Sequence, residues 1–211
     1  MSDLDTLRKK IDALDTELLR LLNERATLAK EIGVIKNRAS LPIYAPDRET
    51  KLLRSLVERS QGPLRPEAIR AIYREIMSAS LALEKDIVIA CLGVSGSPAH
   101  QAALGRFGSS VRYQLCNSVA EVFSETSNGR SDCGVVPLEE PGHGYTSSTL
   151  DSLAASDLHI CAEIATTGGA RFLVLGRQPN KASGTDRTMI MLRIEDKPGA
   201  LVSALEPFRK L

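Results

Sequence analysis

Ten positions between residues 4 and 35 return to one helical face without a miss, and no other feature constrains the chain as tightly. Leu4, Leu7, Ile11, Leu14, Leu18, Leu21, Arg25, Leu28, Ile32 and Ile35 follow in alternating steps of three and four, the spacing at which a helix presents one apolar stripe. The pattern predicts a single helix over residues 4–36, about 50 Å long at 1.5 Å per residue. A lone small domain cannot cover such a length. A loop is expected over Asn37 to Leu41. A second helix opens near Pro46, where a missing N–H costs nothing, with Asp47 and Glu49 at the positive end of its dipole. Its apolar side is Leu52, Leu53, Leu56 and Val57, and Gln61-Gly62-Pro63 ends it. Pro66 begins a third helix, expected to run to about Lys85 with Ile69, Ile72, Tyr73, Ile76 and Met77 facing inward.

At Asp86 the pattern changes. Ile87 to Leu92 is a short apolar run ending in glycine, followed by a helical stretch around His100 to Phe107. Strand-like Val111 to Leu115, helical Ser118 to Asn128 and strand-like Cys133 to Val136 come next. That alternation predicts an α/β region. Gly168-Gly169 and Lys181 to Asp186 read as loops, Thr188 to Ile194 as a strand, and Gly199 to Lys210 as the start of a helix. The expected organisation is α plus α/β: helical residues 1–85, an α/β region over 86–178, and a short segment over 187–211.

The informative residues are polar ones at positions the pattern reserves for apolar side chains. Arg25 sits in the seam of an otherwise apolar register, and an arginine is seldom buried without a partner. A buried ion pair or a snorkelling side chain would account for it alone. Lys36 lies eleven residues on, three turns later and on nearly the same face. Ser80 and Glu84 continue the stripe of Ile69, Ile72 and Ile76 on the third helix, while Arg48 and Glu49 stand in the first turn of the second. Each is ordinary by itself. Together they put Arg25, Lys36, Arg48, Glu49, Ser80 and Glu84 at the inner faces of three helices, a cation-rich pocket suited to a small dianion.

Composition narrows the partners. With 27 Lys and Arg against 26 Asp and Glu, the formal charge of +1 advertises neither nucleic acid nor a membrane surface. No apolar run is long enough to span a bilayer, and Met1-Ser2-Asp3-Leu4-Asp5 does not read as a signal peptide. Cys91, Cys116, Cys133 and Cys161 lack CxxC spacing, and His100, His143 and His159 are scattered. Free thiols, no metal, no cofactor and a cytoplasmic location are therefore expected.

The helical segment resembles the all-helical chorismate mutases of the shikimate pathway. The resemblance rests on Leu7-Arg8-Lys9-Lys10-Ile11-Asp12-Ala13-Leu14-Asp15, Leu21-Leu22-Asn23-Glu24-Arg25, Glu31 to Lys36, Pro46-Asp47-Arg48-Glu49 and Ile76 to Lys85. It implies an intertwined helical homodimer that rearranges chorismate to prephenate without a cofactor. By position it implies that Arg8 and Arg25 hold the substrate carboxylates with help from Ser80. Lys36 and Glu84 would contact the ether oxygen, Glu49 the ring hydroxyl, and Arg48 would order the pocket. Arg8 and Lys36 are 28 residues apart on one helix, about 40 Å, so Arg8 is expected to come from the second subunit. Two positions depart from the pattern: Ala45 stands where some relatives have aspartate. Glu84 stands where some have glutamine, which brings a pH dependence.

From about residue 86 the chain resembles the dehydratase part of the bifunctional mutase–dehydratases. The matching pieces are His100-Gln101-Ala102-Ala103, Cys116 to Phe123, Gly134 to Glu139, Leu150 to Leu153 and Ala170 to Val174. Asp196-Lys197-Pro198-Gly199-Ala200-Leu201 resembles the opening of an ACT-type regulatory domain. The departures are severe. The glycine-rich loop is altered to Gly93-Val94-Ser95-Gly96-Ser97-Pro98, and a glutamate-asparagine pair has become Glu139-Glu140. The catalytic threonine before Arg171-Phe172 is Ala170, and only a short linker lies between Ile164 and Ala170 where the family inserts a second lobe. The ACT-like part has one expected strand and one helix. The leading expectation is a mutase with an inactive dehydratase remnant. The alternatives are the full bifunctional enzyme and a non-catalytic helical oligomerisation module, which would give no reason for Ser80 and Glu84 on a third helix.

Overall fold

In the computed structural model, which describes residues 3–39, 44–182, 184 and 186–210, the heptad stretch forms one 36-residue helix, α1 (Asp3–Arg38). Asp3 and Asp5 fill its first turn and Lys36 and Arg38 its last, each matching the sign of the dipole there. The helix overruns the loop expected from Asn37. Ala39 forms a turn, and residues 40 and 41 of that loop lie outside the described residues. Helix α2 (Pro46–Arg59) and helix α3 (Pro66–Glu84) each begin on the proline that the sequence placed at their starts. Helix α3 packs along the C-terminal half of α1, where Ala29 and Gly33 are buried. Further toward the N-terminus α1 is bare: Leu4, Leu7, Ile11, Leu14 and Leu18 are 55–64% exposed. Ile72, expected to face inward on α3, is exposed as well. Within one chain no described element covers that side of the helix.

The α/β region is built on strands β1 (Val88–Leu92), β2 (Arg112–Cys116), β3 (Cys133–Glu140), β4 (Gly144–Tyr145), β5 (His159–Ala165) and β6 (Arg171–Gly176). Their order is β2-β1-β3-β6-β5, with β4 paired to β3. The first three strands are parallel, whereas β3–β6 and β6–β5 are antiparallel. Helices α4 (Pro98–Phe107), α5 (Val119–Ser127) and α6 (Ser147–Ala154) complete the layers. Ser97 caps α4 by accepting from the His100 N–H at 3.3 Å, and Ser118 caps α5 by accepting from that of Glu121 at 3.1 Å. Two cores form on opposite sheet faces, one around Ile89, Phe107 and Val135, the other around Val122, Phe123 and Leu173. The region is thus a packed lobe.

Strands β5 and β6, which the periodicity alone did not single out, form a hairpin. Thr166 and Ala170 close it, the Thr166 N–H donating to the Ala170 carbonyl at 2.9 Å, with Gly169 at φ +84° supplying the turn. All four cysteines are free thiols. Cys91 and Cys116 are fully buried, and burial pushes both up to about 11.

Residues Met1–Lys181 form one unit and Ala182–Leu211 a second. In the second, the strand expected over Thr188 to Ile194 is not found. Those residues pair with no described strand, and Met189 to Leu192 are 42–54% exposed. A short apolar run becomes a strand only when a partner edge completes its backbone hydrogen bonds. The expected helix is present as α7 (Ala200–Leu205) followed by a 3-10 turn, Glu206–Lys210. No described helix is long and apolar enough to cross a membrane.

Candidate active site

The three N-terminal helices enclose a cavity of about 260 Å³. Helix α1 contributes Arg25, Leu28, Ala29, Ile32 and Lys36; α2 and its approach contribute Ala45, Arg48, Glu49 and Leu52; α3 contributes Met77, Ser80, Leu81 and Glu84. All six polar residues that interrupt the apolar patterns therefore line one space. The Arg25 guanidinium donates to the Ser80 hydroxyl, which in turn donates to the Ile76 carbonyl at 2.8 Å. A hydroxyl anchored on α3 thus holds the guanidinium in place. Lys36 Nζ donates to Glu84 Oε2 at 2.8 Å, with side chains only 18% and 9% exposed.

Arg8 is elsewhere. It stands on the N-terminal part of α1, 67% exposed and 3.9 Å from Asp5, about 26 Å along the helix from Arg25. A single chain does not bring it to the cavity.

The closeness of α1 to α3 depends on Gly33. A Cβ there would lie 2.7 Å from Glu84 Cα, 2.9 Å from its Cβ and 3.0 Å from its carbonyl oxygen. Two of those atoms are backbone and cannot rotate aside. Alanine is intrinsically better than glycine inside a helix by about 0.5–1 kcal/mol, so Gly33→Ala sets propensity against contact. The contact should win. We expect a net loss of about 1–3 kcal/mol, the usual cost of overpacking, seen as a lowered thermal midpoint by circular dichroism. A midpoint equal to or above the parent's would show that the helices part without penalty.

A second set of charges lies behind Glu49 and was not anticipated from the sequence. Arg106, on α4, places Nη2 3.6 Å from Glu49 Oε2 and donates through Nε to the Tyr44 hydroxyl at 2.8 Å. Burial raises the proton affinity of Glu49, and Arg106 and Lys36 pull it back. In isolation Arg106 reads as a solvated cation in the last turn of a helix, so no signal in the sequence marks it.

At the position corresponding to the dehydratase motif, Arg171 on β6 is tied down. Its Nε donates to Glu163 at 2.6 Å and its Nη1 to Glu139 at 2.9 Å. Both carboxylates belong to flanking strands of the same sheet. Among the described residues no three His, Cys, Asp or Glu side chains gather in a metal-holding group.

Two families match the chain, one over its helical part and one over its α/β part. The family described as chorismate mutase type II matches residues 7–85, and that described as prephenate dehydratase matches residues 89–180. A bifunctional chorismate mutase/prephenate dehydratase of Aquifex aeolicus is 49% identical over 168 residues, covering 78% of this chain and 46% of its own length. One from Stutzerimonas stutzeri is 40% identical over 167 residues, covering 76% and 46%. The chain thus spans about half the length of these relatives. Among solved structures, a chorismate mutase of Thermus thermophilus is 42% identical, covering 39% of this chain and 94% of that one, with a TM-score of 0.39.

Proposed function

The chain belongs to the family of bifunctional chorismate mutase/prephenate dehydratases, and from that premise we propose that residues 1–85 are a working chorismate mutase. In this reading residues 86–178 are a dehydratase-derived lobe without dehydratase activity, residues 187–211 are an ACT-like segment, and the enzyme works in the cytoplasm. The observation that carries it is the convergence of the Arg25–Ser80 and Lys36–Glu84 pairs on one cavity.

The chemistry asked of the site is modest. In the Claisen rearrangement one C–O bond breaks and one C–C bond forms within the substrate, and no proton or electron need be exchanged with the protein. What the protein supplies is a compact conformer of a flexible dianion and stabilisation of the charge that grows on the ether oxygen. Arg25, fixed by Ser80, holds a carboxylate bidentately. Lys36 donates to the ether oxygen, Glu84 beside it completes the contact, Glu49 receives the ring hydroxyl, and Arg48 closes the pocket from the first turn of α2. Three cations face two carboxylates in the cavity of one chain. Arg8 of a second copy raises the cationic excess to two, which matches the charge of the substrate. The second copy would also cover the bare row from Leu4 to Leu18, giving a homodimer with shared sites.

The dehydratase-derived lobe lacks what dehydration requires. Ala170 has no hydroxyl where the resemblance assigns one, Glu139 and Glu163 neutralise Arg171, and a tight turn joins β5 to β6 where a second lobe would enter. Two assays on the purified chain test the whole reading. Chorismate absorbance should fall with saturable kinetics, and prephenate should yield phenylpyruvate at neutral pH no faster than it does spontaneously. A flat chorismate trace would favour a non-catalytic helical module. Accelerated phenylpyruvate formation would make the chain bifunctional.

A further inference from the structure

A side chain of the dehydratase-derived lobe touches a residue that lines the helical cavity. We propose that Arg106, from the dehydratase-derived lobe, is a positioning residue for the helical site, holding Glu49 ionised and oriented from behind. The proposal deepens the mutase reading and rests on it.

The geometry begins with how α4 docks. Gly108 ends that helix at φ +74°, and a Cβ there would fall 2.5 Å from the Ser78 Cβ of α3. Only glycine tolerates both the conformation and the approach. Past it, the Ser109 N–H and hydroxyl both donate to Glu75 Oε2, at 3.0 and 2.7 Å, and the Ser110 N–H donates to the Ser78 hydroxyl at 3.0 Å. These bonds join the end of α4 to the helix that carries Ser80 and Glu84. The last turn of α4 then projects two adjacent side chains toward the start of α2. Phe107 packs against Tyr44 with ring centroids 4.9 Å apart and planes tilted by 52°. Arg106 donates to the Tyr44 hydroxyl, lies 5.9 Å from the centre of its ring, and stands 3.6 Å from the Glu49 carboxylate. Arg106 does not line the cavity, so it acts through Glu49 and not on a ligand.

Charged and titratable groups surround Glu49: Lys36 of α1, Arg48 of its own helix, Glu84 of α3, Arg106 of α4, and the protonated Tyr44 hydroxyl and Cys133 thiol. Burial favours the neutral acid and leaves Glu49 above the ordinary carboxylate range, although Arg106 and Lys36 oppose it. A carboxylate beside a cation keeps its charge to lower pH. Replacing Arg106 with glutamine removes one of the two cations, so Glu49 must take up its proton at higher pH. The ring hydroxyl then loses its anionic acceptor over a wider acid range and regains it as pH rises.

The test uses the full chain, with Arg106→Gln, Arg106→Lys and Tyr44→Phe. Carboxyl carbon NMR with labelled glutamate, the Glu49 signal assigned by its loss in Glu49→Gln, should show Glu49 titrating about one pH unit higher in Arg106→Gln. The lysine variant should restore most of the difference. With chorismate, the acid limb of the kcat/KM profile should move with that titration in Arg106→Gln, a loss of up to about tenfold where Glu49 is mostly protonated in both proteins, and the defect should shrink toward alkaline pH. A purely structural role would lower activity equally at all pH values and leave the Glu49 titration in place, and that pattern overturns the proposal. If Arg106→Gln fails to fold, Tyr44→Phe, which removes the guanidinium's second partner while keeping its charge, must still shift the Glu49 signal. No movement there overturns it too. A wild-type chain that turns over no chorismate refutes the mutase reading by itself, and the Glu49 titration then decides Arg106 alone.

Discussion

Lys36→Met should lose on the order of 10³-fold in kcat/KM with chorismate, the loss seen when a donor aimed at developing oxygen charge is removed. Lys36 and Glu84 meet at 2.8 Å with little exposure, so the cavity holds one donor and one acceptor at the place assigned to the ether oxygen. The methionine keeps the length and apolar stem of lysine but carries no ammonium. What remains is Glu84, a carboxylate facing an oxygen that gains negative charge as its bond to carbon breaks. Like charges then meet in a poorly solvated space, which raises the barrier beyond the loss of the donor. Glu84→Gln should behave in the opposite way. Its amide can donate to the oxygen, and Lys36 stays, so turnover at neutral pH should hold within about tenfold of the parent or exceed it. Steady-state kinetics of the two variants, with matched thermal midpoints as the check on folding, decide the matter. A Lys36→Met protein within tenfold of the parent would remove Lys36 from the ether oxygen.

The residues that could be read from the sequence were those whose chemistry contradicts a regular pattern. Arg25 is conspicuous because nine apolar neighbours in the register define what should stand there, and Ser80 and Glu84 are conspicuous for the same reason on the third helix. The prolines at 46 and 66 mark helix starts through a local steric effect, and both starts fell where expected. Arg106 and Tyr44 were not legible, because neither breaks a period. Their significance comes from the docking of α4 on α3, a contact between segments that no local rule connects. The hairpin of β5 and β6 was missed at a similar level. His159 to Ala165 offers mixed polarity, and Phe172 to Leu175 is a short apolar run that length alone does not assign to strand or helix. Thr188 to Ile194 failed the other way. Its composition suits a strand, but a strand needs an edge to pair with, and the second unit presents none among its described residues.

Arg8→Ala and Arg25→Ala should each abolish nearly all mutase activity, and mixing the two dead proteins should bring part of it back. The reasoning starts from the bare half of α1. Leu4, Leu7, Ile11, Leu14 and Leu18 expose more than half their surface in one chain, a row too long and too apolar to face water in a stable helix. A second copy related by a two-fold axis would cover it with the same row of its own. Antiparallel α1 helices would then carry each Arg8 toward the Arg25 of the other chain, closing the gap of about 26 Å that separates them within one chain. A site so built draws Arg25 from one copy and Arg8 from the other. In a mixed dimer, the site on the Arg8→Ala chain keeps its own Arg25 and receives an intact Arg8, while the opposite site lacks both. Random exchange makes half of all dimers mixed, and each holds one intact site of two, so about a quarter of the parental activity should return. Exchange under mild denaturant followed by dilution and a chorismate assay reads this directly. If each site were complete within one chain, the mixture would be as inactive as its parents at every ratio. Recovery that peaks at equal amounts of the two proteins is the signature of Arg8 acting across the subunit boundary.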